Sequence, residues 1–152
     1  MAGLDIDRTI YPMPMFATFA VTDLAVAETF YRALGFISLA TVPDADGTAA
    51  VVHLRRLTYQ DVLLVPGQPV RGSTTVSFAA HGEDLARLAR EIRAVAPPTA
   101  RVEGPVDTPW FTSDLRVEDP DGNLVVLTAQ REAEQQAAQE WARSFGGEFA
   151  ER

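Results

Sequence analysis

Phe16 to Val21 reads as a strand, with Ala17, Phe19 and Val21 sharing one face and Phe16, Thr18 and Ala20 the other, and the stretch from Asp114 to Glu118 shows the same period of two with Leu115 and Val117 as its apolar set. After Val21 the period changes. Thr22-Asp23 offers an N-cap, and Ala27, Phe30, Tyr31 and Leu34 fall on one helical stripe that stops at Gly35, a residue suited to the left-handed turn after a helix. Ile37 to Val42, Ala49 to Leu54 and Asp61 to Val65 read as three further strands. Pro43-Asp44-Ala45-Asp46-Gly47 separates the first two, and a short turn at Arg56-Leu57 separates the second pair.

The same order then begins again. Pro66 to Gly72 is a loop, Thr74 to Ala80 a strand, and Leu85, Leu88, Ala89 and Ile92 a second helical stripe ending before Pro97-Pro98. Strands follow near Arg101 to Glu103, at Asp114 to Glu118 and at Leu124 to Ala129. Asp119-Pro120-Asp121-Gly122 forms the last turn, with proline presetting one central residue and glycine free to take a positive φ. The chain therefore reads as βαβββ twice, in modules of about 14–66 and 73–130. A tail over 131–145 places Ala133, Ala137, Ala138, Trp141 and Phe145 on one helical face. Its polar face is not basic, so packing on the domain or on a dimer partner is expected rather than a membrane surface.

Alternation also sorts residues between the two faces of each sheet. Ala17, Phe19 and Val21 should pack under one helix, and Val76, Phe78 and Ala80 under the other, leaving Phe16, Thr18, Thr75 and Ser77 on the concave side. By the same rule Tyr59, Asp61 and Leu63 oppose Val62 and Leu64, Asp114 and Arg116 oppose Leu115 and Val117, and His53 falls with Val51. A concave face that mixes aromatic, hydroxyl and charged groups suits a ligand.

Composition narrows the picture. The 152 residues, 47% of them hydrophobic, are enough for one domain with a real core. No window approaches a membrane span, and Met1 to Pro14 lacks the apolar run of a signal peptide. There is no cysteine, which removes disulfides and thiolate metal sites and makes the cytoplasm the expected location. A net charge of −8 argues against nucleic acid and mildly favours a cationic or neutral ligand.

A strand, Val-Thr-Asp-Leu at 21–24, a helix ending Phe-Tyr-Arg-Ala-Leu-Gly-Phe at 30–36, and later Asp-Pro-Asp-Gly-Asn-Leu at 119–124 together resemble the vicinal oxygen chelate superfamily. That group holds glyoxalase I, extradiol dioxygenases, fosfomycin-modifying enzymes and bleomycin-resistance proteins. The resemblance runs over residues 14–130. It implies an α+β fold of two βαβββ modules forming curled mixed sheets around a cleft, here with a C-terminal helix, and a homodimer in which modules often pair between chains. Metal-using relatives place a histidine or glutamine early in each module's first strand and a glutamate in its last. Carried across, these positions fall on Phe16, near Leu63, on Thr75 and on Val126, which supply one hydroxyl between them. A divalent ion needs several oxygen or imidazole donors at about 2.0–2.2 Å. The two histidines, His53 and His81, do not make a set either, so no metal and no cofactor are expected.

What remains is binding. Among superfamily members, this chain is most similar to the bleomycin-resistance and related drug-sequestering proteins. Pro109-Trp110, followed by Asp114-Leu115, resembles their Pro-Trp-Gly…Glu-Phe segment, with Phe111 in place of the glycine. The candidate ligand contacts are Trp110, Phe111, Asp114, Phe16, His53, Tyr59, Asp61 and Thr75. Trp110 leads, as a broad face for stacking or a cation–π partner, although it reads equally well as an ordinary packing anchor. Asp61 and Asp114 read by default as solvated strand residues; facing the cleft, they would attract a cation. The expected function is metal-free binding of a small aromatic or cationic molecule, sequestering an antibiotic or toxic metabolite. Two rivals stand beside it. One is a lyase or isomerase using His53, Tyr59 and Asp61 for proton transfer without metal, and the other is a partner-binding module presenting Trp141 and Phe145. Nucleophilic catalysis has no motif to support it.

Overall fold

The computed structural model describes residues 6–11 and 13–147. The elements are β1 (Phe16–Val21), α1 (Leu24–Ala33), β2 (Ile37–Pro43), β3 (Ala49–Arg55), β4 (Asp61–Pro66), β5 (Thr75–Ala79), α2 (Leu85–Val95), β6 (Arg101–Asp107), β7 (Thr112–Glu118), β8 (Leu124–Gln130) and α3 (Gln135–Ser144), the last preceded by a 3-10 turn at Glu132–Glu134. They build two four-stranded mixed sheets in the orders β1-β4-β3-β2 and β5-β8-β7-β6. In each, the first strand pairs parallel with the last and the remaining pairs are antiparallel.

Helices α1 and α2 begin on the same device. Asp23 accepts from the Val26 amide at 3.0 Å and Asp84 from the Arg87 amide at 3.0 Å, satisfying one of the free amides of each first turn. Each helix covers the apolar face of its own sheet. Phe19, Val21, Leu54 and Leu64 are buried under α1, and Leu115, Val117 and Leu127 are buried in the second module. Tyr31 is the hub of this core, with ring contacts to Phe19, Phe30 and Phe36, and Phe36 in turn meets Phe78 of β5 at 5.7 Å.

β6 runs four residues past the expected Glu103. A register shift between Glu103 and Val106 absorbs Gly104-Pro105, and an edge strand tolerates proline because one side of it needs no ladder bonds. Gly and Pro in the sequence concealed the continuation.

β1 and β5 are the terminal strands of their sheets and do not pair with each other. Two side-chain amides span the seam instead. Asn123, just before β8, donates to the Ala20 carbonyl of β1 at 3.0 Å; Gln60, just before β4, donates to the Ala79 carbonyl of β5 at 2.8 Å. Ala20 and Ala79 are each the fifth residue of their strand, so the two bridges are related by the internal duplication. Arg56 adds a third link, donating to the Leu34 carbonyl at 3.0 Å and to Glu83 of the second module at 2.7 Å.

Candidate ligand-binding site

A groove of about 410 Å³ follows the seam between β1 and β5 and takes lining residues from both faces of these strands, Phe16, Thr18 and Ser77 from one and Ala17, Val76 and Phe78 from the other. Met15, Phe16, Tyr59 and Phe78 give it apolar and aromatic walls, and Thr18, Thr74 and Ser77 supply hydroxyls. Phe16, Thr18 and Ser77 are exposed as the alternation requires, while Phe19 and Phe78 on the opposite parity are buried. Thr75 shares Ser77's face and is exposed, but Thr74 and Ser77 are the hydroxyl residues of β5 and its approach that line the groove. The size and the mixed lining suit a small organic molecule.

Asp61 is the one carboxylate among the described lining residues, and it is not free. Arg55 Nε donates to Oδ1 at 2.7 Å and Nη2 to Oδ2 at 2.8 Å, while His53 Nε2 lies 2.6 Å from Oδ2. The register explains the cluster: Arg55 sits opposite Asp61 across the β3–β4 pair, and His53 is two residues back on the same face. Burial raises the Asp61 carboxyl, but the hydrogen bonds from Arg55 and His53 outweigh this and hold it below the ordinary carboxylate value. Asp61 is 1% exposed, so the solvated strand residue expected from sequence is instead half of a buried ion pair.

The N-terminal segment provides the cover. Arg55 Nη1 donates to the carbonyls of Asp7 and Thr9 at 2.7 and 2.8 Å, and its guanidinium stacks 3.9 Å from the centre of the Tyr11 ring. Tyr11 Oη accepts from the Tyr59 amide at 2.9 Å, and the two rings meet edge-on at 5.4 Å. Arg55 and Tyr11 were missed by sequence reasoning. The signal for Arg55 was a cation alternating with His53 on a strand that returns, after a tight turn, to an aspartate.

The other candidates lie elsewhere. Asp114 accepts from Thr112 at 2.9 Å and from Thr128 at 2.7 Å within the second sheet. Phe111 packs against Trp141 of α3 at 5.8 Å and lies beside Arg131. Its φ of +67° is a conformation that glycine adopts without strain, which accords with the glycine of the resembling segment. Trp110 is half exposed beside a hollow of about 20 Å³, room for about one water. Phe16, Tyr59 and Asp61 are thus brought together at the seam with His53 behind Asp61, whereas Trp110, Phe111 and Asp114 are not.

A second hollow of about 410 Å³ lies on the helical side, between α1 and the end of α2. Ala25, Val26, Phe30, Ala33, Val95 and Pro97 line it with Thr29 as the single polar side chain. It lacks the convergent polar groups that orient a ligand.

The positions that the resemblance assigns to metal ligands fall on Phe16, near Leu63, on Thr75 and on Val126. Among the described residues no group of three or more histidine, cysteine, aspartate or glutamate side chains converges, and Asp61 already shares both oxygens with Arg55. The donor set does not fit a divalent ion.

No family model matches the chain, and no curated protein matches its sequence. Solved structures do match. A glyoxalase/bleomycin resistance protein from Streptomyces sp. CB03234 is 25% identical, with a TM-score of 0.56 over 74% of this chain and 96% of that one. TnmS3, an antibiotic binding protein from the same Streptomyces, is 24% identical, with a TM-score of 0.58 over 76% of this chain and 93% of its own. The fosfomycin resistance protein FosX from Listeria monocytogenes, whose structure holds manganese and sulfate, is 14% identical with a TM-score of 0.61 over 84% and 99%. Paired βαβββ units around an open seam define the class. The chain has the fold of the vicinal oxygen chelate superfamily, to which these resistance and glyoxalase-like proteins belong.

Proposed function

We propose that this protein binds a small, planar and largely neutral organic molecule in the seam groove without metal, and so sequesters an antibiotic or toxic aromatic metabolite. One observation carries the reading: a groove of about 410 Å³ with Phe16 and Tyr59 on its walls, whose single carboxylate among the described lining residues is already neutralised by Arg55. A cationic ligand would need an uncompensated acid there, and Asp61 has none of its charge to spare. The antibiotic-binding description of one similar structure supports the direction of the proposal.

Titration of chelator-dialysed protein with two fluorophores tests it. Prodan is neutral and planar; thioflavin T is planar and cationic. Saturable binding of prodan, tighter than that of thioflavin T, is expected. Absence of prodan binding, or binding that requires an added divalent ion, would overturn the proposal.

A proton-transfer enzyme gains one point from the contact between His53 and Asp61. Against it, His53 is buried and does not line the groove among the described residues, so a substrate there would not meet its ring. We also infer a homodimer. Val106, Trp110 and Phe145 are large apolar residues left exposed, and Phe145 packs edge-on against Trp141, which meets Phe111 next to Trp110, the kind of surface that a second copy would cover. Sedimentation of wild type and Trp110→Glu checks this, with a shift to monomer in the variant expected and an unchanged wild-type monomer as the contrary result.

A further inference from the structure

Tyr59 holds a left-handed backbone, φ +65°, in the tight turn between β3 and β4. The duplicated turn between β7 and β8 has Gly122 at the same place, two residues before its strand, with φ +88°. Both turns close with the same bond, from the Arg56 amide to the Gln60 carbonyl at 3.0 Å and from the Asp119 amide to the Asn123 carbonyl at 2.8 Å. Glycine enters this conformation freely, whereas a bulky side chain meets its own backbone there.

The strain is not offset by core packing. Tyr59 is 59% exposed, and its ring meets Tyr11 edge-on while lining the groove. The Tyr11 hydroxyl accepts from the Tyr59 amide and so braces the strained peptide from behind. Phe16, itself 49% exposed, lines the same groove. A glycine would make the turn easier, so what tyrosine adds is a ring at the groove rim. Backbone strain retained at such a place is an observation that points toward recognition.

We propose that Tyr59 is the specificity-determining residue of the groove, kept in a strained turn so that its ring stacks on a planar aromatic ligand. The inference rests on the reading that the groove binds such a molecule. Tyr11 then acts as a positioning residue, fixing the peptide that carries the ring, with Arg55 holding Tyr11 in turn.

Two substitutions in the full-length, chelator-dialysed protein separate ring from backbone. Tyr59→Ala removes the ring and keeps a Cβ in the left-handed turn; Tyr59→Gly removes both. Each should weaken prodan binding roughly tenfold, the loss of one good aromatic contact. The glycine variant should melt about 3 °C above the alanine variant. That order is the reverse of the usual one, in which glycine is the less stable because its unfolded chain is freer. An alanine variant melting at or above the glycine variant would overturn the strain. Prodan binding to wild type with unchanged affinity in both variants would overturn the inference alone, whereas no binding to wild type would overturn the groove reading and this one with it.

Discussion

The phenolic hydroxyl of Tyr31 donates a 2.7 Å hydrogen bond to Asp119 Oδ2, joining residues 88 positions apart. Tyr31 belongs to the helix motif of the first module and Asp119 to the Asp-Pro-Asp-Gly turn of the second. The same turn reaches back twice more, as Thr22 Oγ1 donates to Asp121 at 2.8 Å and Asn123 donates to the Ala20 carbonyl. Asp119 also organises its own turn, accepting from the amides of Asp121 and Asn123. The two segments that make the sequence recognisable are thus the two that fasten one module to the other, which is why they mark a fold rather than a chemistry.

Tyr31→Phe should destabilise the protein by about 2 kcal/mol, since it removes a hydrogen bond to a buried carboxylate and leaves that oxygen short of a donor. Urea unfolding measures it, and a loss below about 0.5 kcal/mol would show that the bond is replaced. Burial, with the charge and hydrogen bond of Asp119, raises the Tyr31 hydroxyl well above the ordinary tyrosine value. A raised value contributes stability present below the ordinary pKa, about 10, and lost as pH rises through the raised one. Wild type should therefore weaken above about pH 10, and Tyr31→Phe should lose part of that slope.

Asp61→Asn should cost about 3–5 kcal/mol, because the buried Arg55 guanidinium keeps its charge and loses its counterion. Release of Arg55 should also free the segment that it holds at Asp7 and Thr9. Limited proteolysis is the readout, with faster cleavage before Tyr11 expected in the variant and an unchanged pattern counting against the tether.

The same pair sets an acid limit. The Asp61 carboxyl is held below its ordinary value, so its contribution is present above about pH 4 and is lost as pH falls through the lowered value. Docking of the N-terminal segment, followed through the Tyr11 ring resonances, should be intact at pH 5 and fail only in stronger acid. Release already complete at pH 5 would contradict the ion pair.

Gly122→Ala should be among the more damaging single-methyl changes in the chain. Its φ is +88°, and an added Cβ would lie 2.5 Å from Arg71 Cγ and 2.7 Å from Arg71 Cα. Arg71 cannot retreat easily, since it is paired with Glu118 and donates to the Pro120 carbonyl at 3.0 Å. A loss of at least about 2 kcal/mol is expected. Gly47→Ala is the control: its φ is +79°, but nothing lies within 4 Å of the new methyl, so about 1 kcal/mol is expected. Equal effects at the two sites would remove the Arg71 contact as the cause.

Much of this fold was legible because its determinants are local. Alternation in Phe16–Val21 separates buried Phe19 from exposed Phe16 and Thr18, and Asp23 and Gly35 bound α1 by capping chemistry that any sequence displays. The site was less legible because its determinants are not local. Asp61 looks like a surface acid until the register sets Arg55 across from it, and the register is fixed by the whole hairpin. Residues 7–11 carry no period at all, since they are held by two carbonyls and one ring rather than by a face. Trp110 leads on chemistry alone; it lies in the connection from β6 to β7, whereas the seam groove runs along β5 at the opposite edge of the second sheet from β6. Tyr59 is one of several candidates; what marks it is a left-handed backbone, shared by Phe111, at a residue that lines the groove, and a sequence displays such an angle only where a glycine takes it.

Prodan titration of wild type beside Phe16→Arg tests the central claim most directly. Phe16 is half exposed, so the fold should tolerate arginine with its melting temperature within about 2 °C, while a charged chain fills the groove. The account predicts micromolar or tighter binding to metal-free wild type and at least a roughly tenfold loss in the variant. Unchanged binding in Phe16→Arg would place the ligand elsewhere and contradict it.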